Sequence, residues 1–110
     1  MARKKKTRKT RKPRSPNKTI RGEVLDAARG AVLGSHDVAY GGPEENFARI
    51  RRHLNVHLIN RFGEGAPVLI DADVALILDL VKTGRLEGNM QHMDSWIDKA
   101  GYAACGAEVC

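Results

Sequence analysis

A chain of 110 residues that is 42% hydrophobic and 5% aromatic is sized for one domain, with a core drawn from Leu, Ile, Val and Ala. No apolar run approaches the roughly 18 residues a membrane span needs, and the charged N-terminus lacks the apolar stretch of a secretory signal, so neither insertion nor export is expected. The net charge of +6 averages two opposed halves: residues 1–18 hold 10 of the 19 Lys and Arg and no acid, while residues 19–110 carry 9 basic and 13 acidic side chains.

The first half, MARKKKTRKTRKPRSPNK, has two prolines, no apolar periodicity and strong self-repulsion. It cannot bury enough surface to offset the entropy of ordering it, so a disordered tail is expected over residues 1–18, ahead of a single helical domain over 19–110. Arg3, Lys4, Lys5, Lys6, Arg8, Lys9, Arg11, Lys12 and Arg14 make this tail a candidate nucleic-acid arm. Each cation that neutralises a phosphate releases a counterion, so such binding is salt-dependent and blind to sequence. No aromatic residue interrupts the tail, so base stacking by it is not indicated. The alternative is a solvated extension with incidental affinity for polyanions.

Four helices are expected after the tail. The first runs from about Thr19 to Leu33, with Ile20, Val24, Ala27, Ala28, Ala31 and Val32 on one stripe and Gly34 as its stop. A loop, GSHDVAYGGP, leads to the second, which starts at Pro43 and ends near Asn60. Glu44 and Glu45 suit its positive end, and Phe47, Ile50, Leu54 and Leu58 mark its core side. The third runs from about Asp71 to Leu86. Val74, Leu76, Ile77, Leu78, Leu80 and Val81 cover more than half its circumference, the pattern of a central helix. Asp73 falls inside that arc, where capping the helix start is the simpler expectation and a buried acid the functional one. The fourth runs from about Gln91 to Val109, with Met93, Trp96, Ile97, Ala100, Ala103, Ala104 and Ala107 as its apolar face. Nothing alternates with the period of a strand, so the body is expected to be an all-α bundle.

The polar side of the fourth helix is unusual. At 100° per residue, Asp94, Asp98, Gly101, Cys105 and Glu108 share a stripe opposite its apolar face. Two carboxylates one turn apart repel by about 0.7 kcal/mol in water, and a mid-helix glycine costs about 1 kcal/mol against alanine. Three readings account for those costs: a divalent cation such as Mg²⁺ held by the carboxylates, a second helix approaching the small residues, or plain solvent. Lys82 and Arg85 suit the negative end of the third helix and could equally hold a phosphate. Asn46 flanks the core side of the second helix, whereas Glu45 points away from it. His53 and His57 have the spacing of a zinc pair but lack the intervening glutamate of a metalloprotease. Cys105 and Cys110 face different directions on a helix, and no CxxC or zinc spacing is present, which fits a reducing, cytoplasmic setting.

Three blocks, YGGPEENFARI (40–50), DVALILDLVKTGR (73–85) and HMDSWIDKAGYAACGAE (92–108), resemble a phage and prophage family known only as a domain of unknown function. A more distant likeness is to the MazG-like all-α nucleotide pyrophosphohydrolases. That second likeness implies a helical bundle, often a homo-oligomer, that uses Mg²⁺ on facing helices to cleave nucleoside triphosphates. In it Glu44 and Glu45 match the paired acids of the earlier helix and Asp98 the last acid of the later one; with the carboxylate stripe, Asp94, Asp98 and Glu45 are expected to hold the metal, with Asp98 and Glu45 as the catalytic pair. Lys82, Arg85, Asn46 and Tyr40 are assigned to the nucleotide and its phosphates. Asp94 precedes Asp98 by four residues where the MazG-like pattern has three. The alternative expectation is a non-enzymatic phage accessory protein in the host cytoplasm. Its tail would bind nucleic acid, and its acidic helix face would serve self-association or a host partner.

Overall fold

A computed structural model describes residues 18–34 and 42–110. The tail cations from Arg3 to Arg14, and Tyr40, lie outside the described residues. Among those described, the fold is all-α with four helices and no strand: α1 (Ile20–Leu33), α2 (Pro43–Phe62), α3 (Asp71–Gly88) and α4 (Met93–Val109). No described helix is long and apolar enough to cross a membrane.

Local chemistry sets the helix ends. Thr19 caps α1, its hydroxyl oxygen accepting from the Gly22 N–H at 3.0 Å. Pro43 opens α2, where its missing N–H costs no hydrogen bond, and Glu44 and Glu45 sit at the positive end. α2 runs two residues beyond the expected Asn60 and stops at Gly63. There φ reaches +89°, a conformation open to glycine, and the Gly63 N–H donates to the Ile59 carbonyl at 2.8 Å. Asp73 takes the capping role, its carboxylate accepting from the Ile70 N–H at 2.8 Å. α4 starts at Met93, two residues later than its sequence pattern indicates.

The core is thin. Phe47, Val74 and Ala75 form its buried centre, with Ile50, Leu54, Leu78, Tyr102, Cys105 and Val109 packed around them. Polar ties hold the frame. The Asn55 side chain accepts from the Leu69 N–H at 2.8 Å and donates to the Leu69 carbonyl at 3.2 Å, clamping the α2–α3 connection onto α2. Arg51 pairs with Asp71 at 2.6 Å. Lys99 on α4 reaches Asp79 at 2.9 Å and the Thr83 hydroxyl at 2.6 Å on α3.

Two expectations are corrected. α3 is not buried all round: its inner half packs on α4 and α2, while Leu76, Leu80 and Val81 are 64%, 64% and 51% exposed. The helix that touches all three others is α4. α4 is also turned over relative to its apolar pattern. Ser95 and Gly101 are buried and Asp98, Tyr102 and Cys105 are half-buried, while Met93, Trp96, Ala103, Ala104 and Ala107 are exposed; of the expected apolar face only Ile97 and Ala100 are half-buried.

Backbone approach explains the inversion. A Cβ added at Gly101 would lie 3.2 Å from a methyl of Val32 on α1, and one at Gly106 would lie 3.0 Å from the Ala75 Cβ on α3. Helices that close need small residues at the crossing, and α4 has them on its mixed polar face. Trp96 accepts the outer position because its indole N–H donates to the Met90 carbonyl at 2.9 Å.

Gly30 offers a contrast. It sits exposed at the start of the last turn of α1 with nothing within 4 Å of an added Cβ. Gly30→Ala is expected to stabilise the fold by up to about 1 kcal/mol through helix propensity alone. A thermal melt by circular dichroism should show a midpoint raised by roughly 4–8 °C.

Candidate functional site

The polar stripe of α4 meets α3 at one ion pair. Lys82, in the C-terminal half of α3, places its Nζ 2.9 Å from Oδ2 of Asp98. The lysine side chain is 16% exposed and the aspartate 38%, so the contact is partly screened from water. A cation drawn this far from solvent needs a partner, and α4 supplies it. The like-charge cost of Asp94 and Asp98 on one turn is thereby offset at Asp98. Asp94 is exposed in the first turn of α4, where its charge suits the helix dipole. Ser95, fully buried, lies between them on the chain, its hydroxyl 2.8 Å from Nδ1 of His92.

A second feature opens on the flank of α4 that faces α1, bordered by Cys105 and Glu108 of the same stripe. A cleft of about 480 Å³ lies between α1, the start of α2 and the C-terminal half of α4. That volume falls in the range of small-molecule sites, roughly 300–1,000 Å³. Leu25, Ala28, Val32, Leu33 and Ala104 form its apolar walls. Arg29, Glu44 and Glu108 line it with charge, and Cys105 borders it. One cation and two carboxylates around an apolar hollow can orient a ligand that has both an apolar body and charged groups.

The structure brings together some of the residues marked from sequence and separates others. Asp98 and Lys82 become direct partners, joining a candidate metal ligand to a candidate phosphate ligand. Arg85 is exposed near the end of α3, and Asn46 is half-buried on α2. Glu45 is exposed and does not line the cleft; its neighbour Glu44 does. His53 and His57 are both exposed. Among the described residues no group of three or more His, Cys, Asp or Glu side chains is placed to hold a metal ion. Asp94, Asp98 and Glu45 therefore do not make a ready three-carboxylate centre. Sequence reasoning missed Arg29 and the contribution of α1. The available signal was Arg29 itself, flanked by Ala28 and Val32 on the buried stripe of that helix.

Comparison with known proteins follows the same blocks of sequence. The family model described as "Domain of unknown function (DUF6378)" matches residues 23–110. Over 82 residues the chain is 34% identical to "Gene 55 protein" of Mycobacterium phage D29, covering 74% of this chain and 50% of that protein. The chain thus spans about half the length of the curated relative it matches. No solved structure matches it.

Proposed function

From the premise that the chain belongs to the DUF6378 family, as a small helical protein of phage type, we propose that its body binds a magnesium-charged nucleoside triphosphate. The observation that carries the reading is the Lys82–Asp98 pair, a cation and a carboxylate held 2.9 Å apart on facing helices. A metal-charged triphosphate presents both complements, phosphate oxygens for Lys82 and a hard cation for Asp98. Arg85 stands at the same end of α3 to neutralise further phosphate charge.

The described residues do not fit a resident metal ion, since they offer no three-ligand group. In this reading Mg²⁺ arrives with the nucleotide, keeping phosphate oxygens and waters and taking few carboxylates from the protein. The cleft lies within reach of the same ligand. Cys105, on its border, is two turns of α4 from Asp98, roughly 10 Å along the axis. Leu25, Val32 and Ala104 offer apolar walls for a base, and Arg29 a donor. The distant MazG-like likeness extends the proposal to hydrolysis: water attacks the α-phosphorus, the bond to the bridging oxygen breaks, and pyrophosphate leaves.

Titration calorimetry with a panel of Mg²⁺-nucleotides, paired with an assay for pyrophosphate release, tests both levels. Asp98→Asn is expected to weaken binding by at least roughly 10–100-fold, the cost of losing even an outer partner of a metal ligand. The reading fails if no nucleotide binds the wild type, or if Asp98→Asn binds and turns over as well as wild type.

A second reading is favoured by a separate observation, the charge division between residues 1–18 and the rest of the chain. In it the protein is a non-enzymatic accessory that grips nucleic acid through its N-terminal cations. The two readings use different residues and are tested independently.

A further inference from the structure

We propose, resting on the nucleotide reading above, that the cleft between α1, α2 and α4 selects guanine as the base. Glu108 accepts from the base N1–H and 2-amino group, and Arg29 donates to its O6 and N7.

The placement of charge marks these two residues. Arg29, Glu44 and Glu108 line the cleft and are exposed. Among the described residues none of their side chains is held by an ion pair or hydrogen bond, whereas Arg51, Lys82 and Lys99 each take a carboxylate partner. Opposite charges thus face one hollow without closing it. Glu44 suits its position, the first turn of α2 at the positive end of that helix. Glu108 does not. It stands in the last turn of α4, at the negative end, and no basic residue accompanies it there. A ligand that brings hydrogen-bond donors to Glu108 offsets that mismatch.

A carboxylate selects among bases because it only accepts, through two oxygens. A base that meets it edge-on needs two neighbouring donors. Of the common bases guanine alone has them, N1–H beside the 2-amino group. Adenine and cytosine set a ring-nitrogen acceptor beside their amino donor. Uracil and thymine flank one N–H with two carbonyls. Each of these turns a lone pair toward the carboxylate. The guanidinium of Arg29, a donor only, meets the guanine acceptors O6 and N7. Leu25, Val32 and Ala104 offer apolar cover for the ring.

The same acids set which end of the nucleotide enters. Glu44 and Glu108 repel a triphosphate, so the base goes in and the phosphates stay out. Glu108 lies ten residues beyond Asp98, about 15 Å of helix axis, so the phosphates lead back along α4 toward Lys82.

Titration calorimetry on the full chain, with Mg²⁺ and the triphosphates of guanosine, inosine, xanthosine, adenosine, cytidine and uridine, tests the assignment. GTP is expected to bind roughly 10–100-fold more tightly than ATP, CTP or UTP, the discrimination that a bidentate pair gives. Inosine triphosphate, which lacks the 2-amino group, should fall between. Glu108→Gln should erase the preference for GTP and transfer it to xanthosine triphosphate. The 2-carbonyl of xanthine accepts from the new amide while its N1–H still donates to the amide oxygen. A merely structural role would not produce that exchange, and at an exposed position the variant should keep its circular-dichroism melt. Arg29→Ala should weaken GTP and inosine triphosphate alike, since both carry O6 and N7. If all the nucleotides bind with one affinity, weakened by Asp98→Asn, the guanine assignment is overturned and the nucleotide reading stands. A guanine preference that Glu108→Gln does not move also overturns the assignment. Binding of no nucleotide overturns both.

Discussion

Deleting residues 1–18 is expected to abolish binding to duplex DNA that, in the full chain, falls about 10³- to 10⁵-fold between 50 and 200 mM salt. The tail holds ten cations, enough for the 6–10 phosphate contacts that produce such a slope. What is left after deletion has 9 basic and 13 acidic residues, and its net negative charge opposes a polyanion. Fluorescence anisotropy with labelled duplexes of unrelated sequence gives both affinity and slope. Full-length protein should treat the duplexes alike, since phosphate contacts carry no base information. A truncated chain that binds with an undiminished salt slope would place the contact surface on the helical body instead.

Gly101→Leu is expected to destabilise the fold by about 3 kcal/mol, at the upper end of overpacking costs. The first added carbon already meets the Val32 methyl at 3.2 Å, and the branched end of leucine would enter the space that Val32 and the α1 backbone occupy. At roughly 4–8 °C per kcal/mol for a domain of this size, the melting midpoint should fall by about 12–24 °C. Gly101→Ala is the control. Its single carbon touches only a side-chain methyl that can yield by a few tenths of an ångström, and the gain in helix propensity of about 1 kcal/mol offsets the contact. Calorimetry on the pair separates the close approach from helix propensity. Equal midpoints for Gly101→Leu and wild type would mean that α1 does not pack where the structure places it.

The local signals in the sequence were legible, because each depends on a few adjacent residues. Pro43 opens α2 and Asp73 turns back on the Ile70 N–H, both as residue type and position imply, and Thr19, expected only as the first residue of α1, caps it. The helices themselves followed from apolar spacing. The facing of α4 did not. Trp96 and Met93 outrank Gly101 and Ser95 in hydrophobicity, so pattern alone puts the large residues inside. What decides the matter is how near α1 and α3 come, and that depends on Val32 and Ala75, which lie far away in sequence. The acidic stripe illustrates the same limit. Asp98 and Lys82 could each be singled out on its own helix, but their pairing requires knowing how α3 lies against α4. At Gly101 the close approach of a neighbouring helix accounts for the missing side chain, while Asp94 and Glu108 of the same stripe are exposed.

The packing of α1 has a mechanical corollary. The basic tail joins the body at Thr19, directly at the α1 cap, and α1 packs chiefly on α4. Tension on the tail would enter the body through α1 and pass to α4, which it meets at the Val32–Gly101 crossing. The Asn55 clamp and the Arg51–Asp71 pair lie off that path. A load applied at the N-terminus would peel α1 before it strained the unit formed by α2, α3 and α4, making the first helix the mechanical fuse of the molecule.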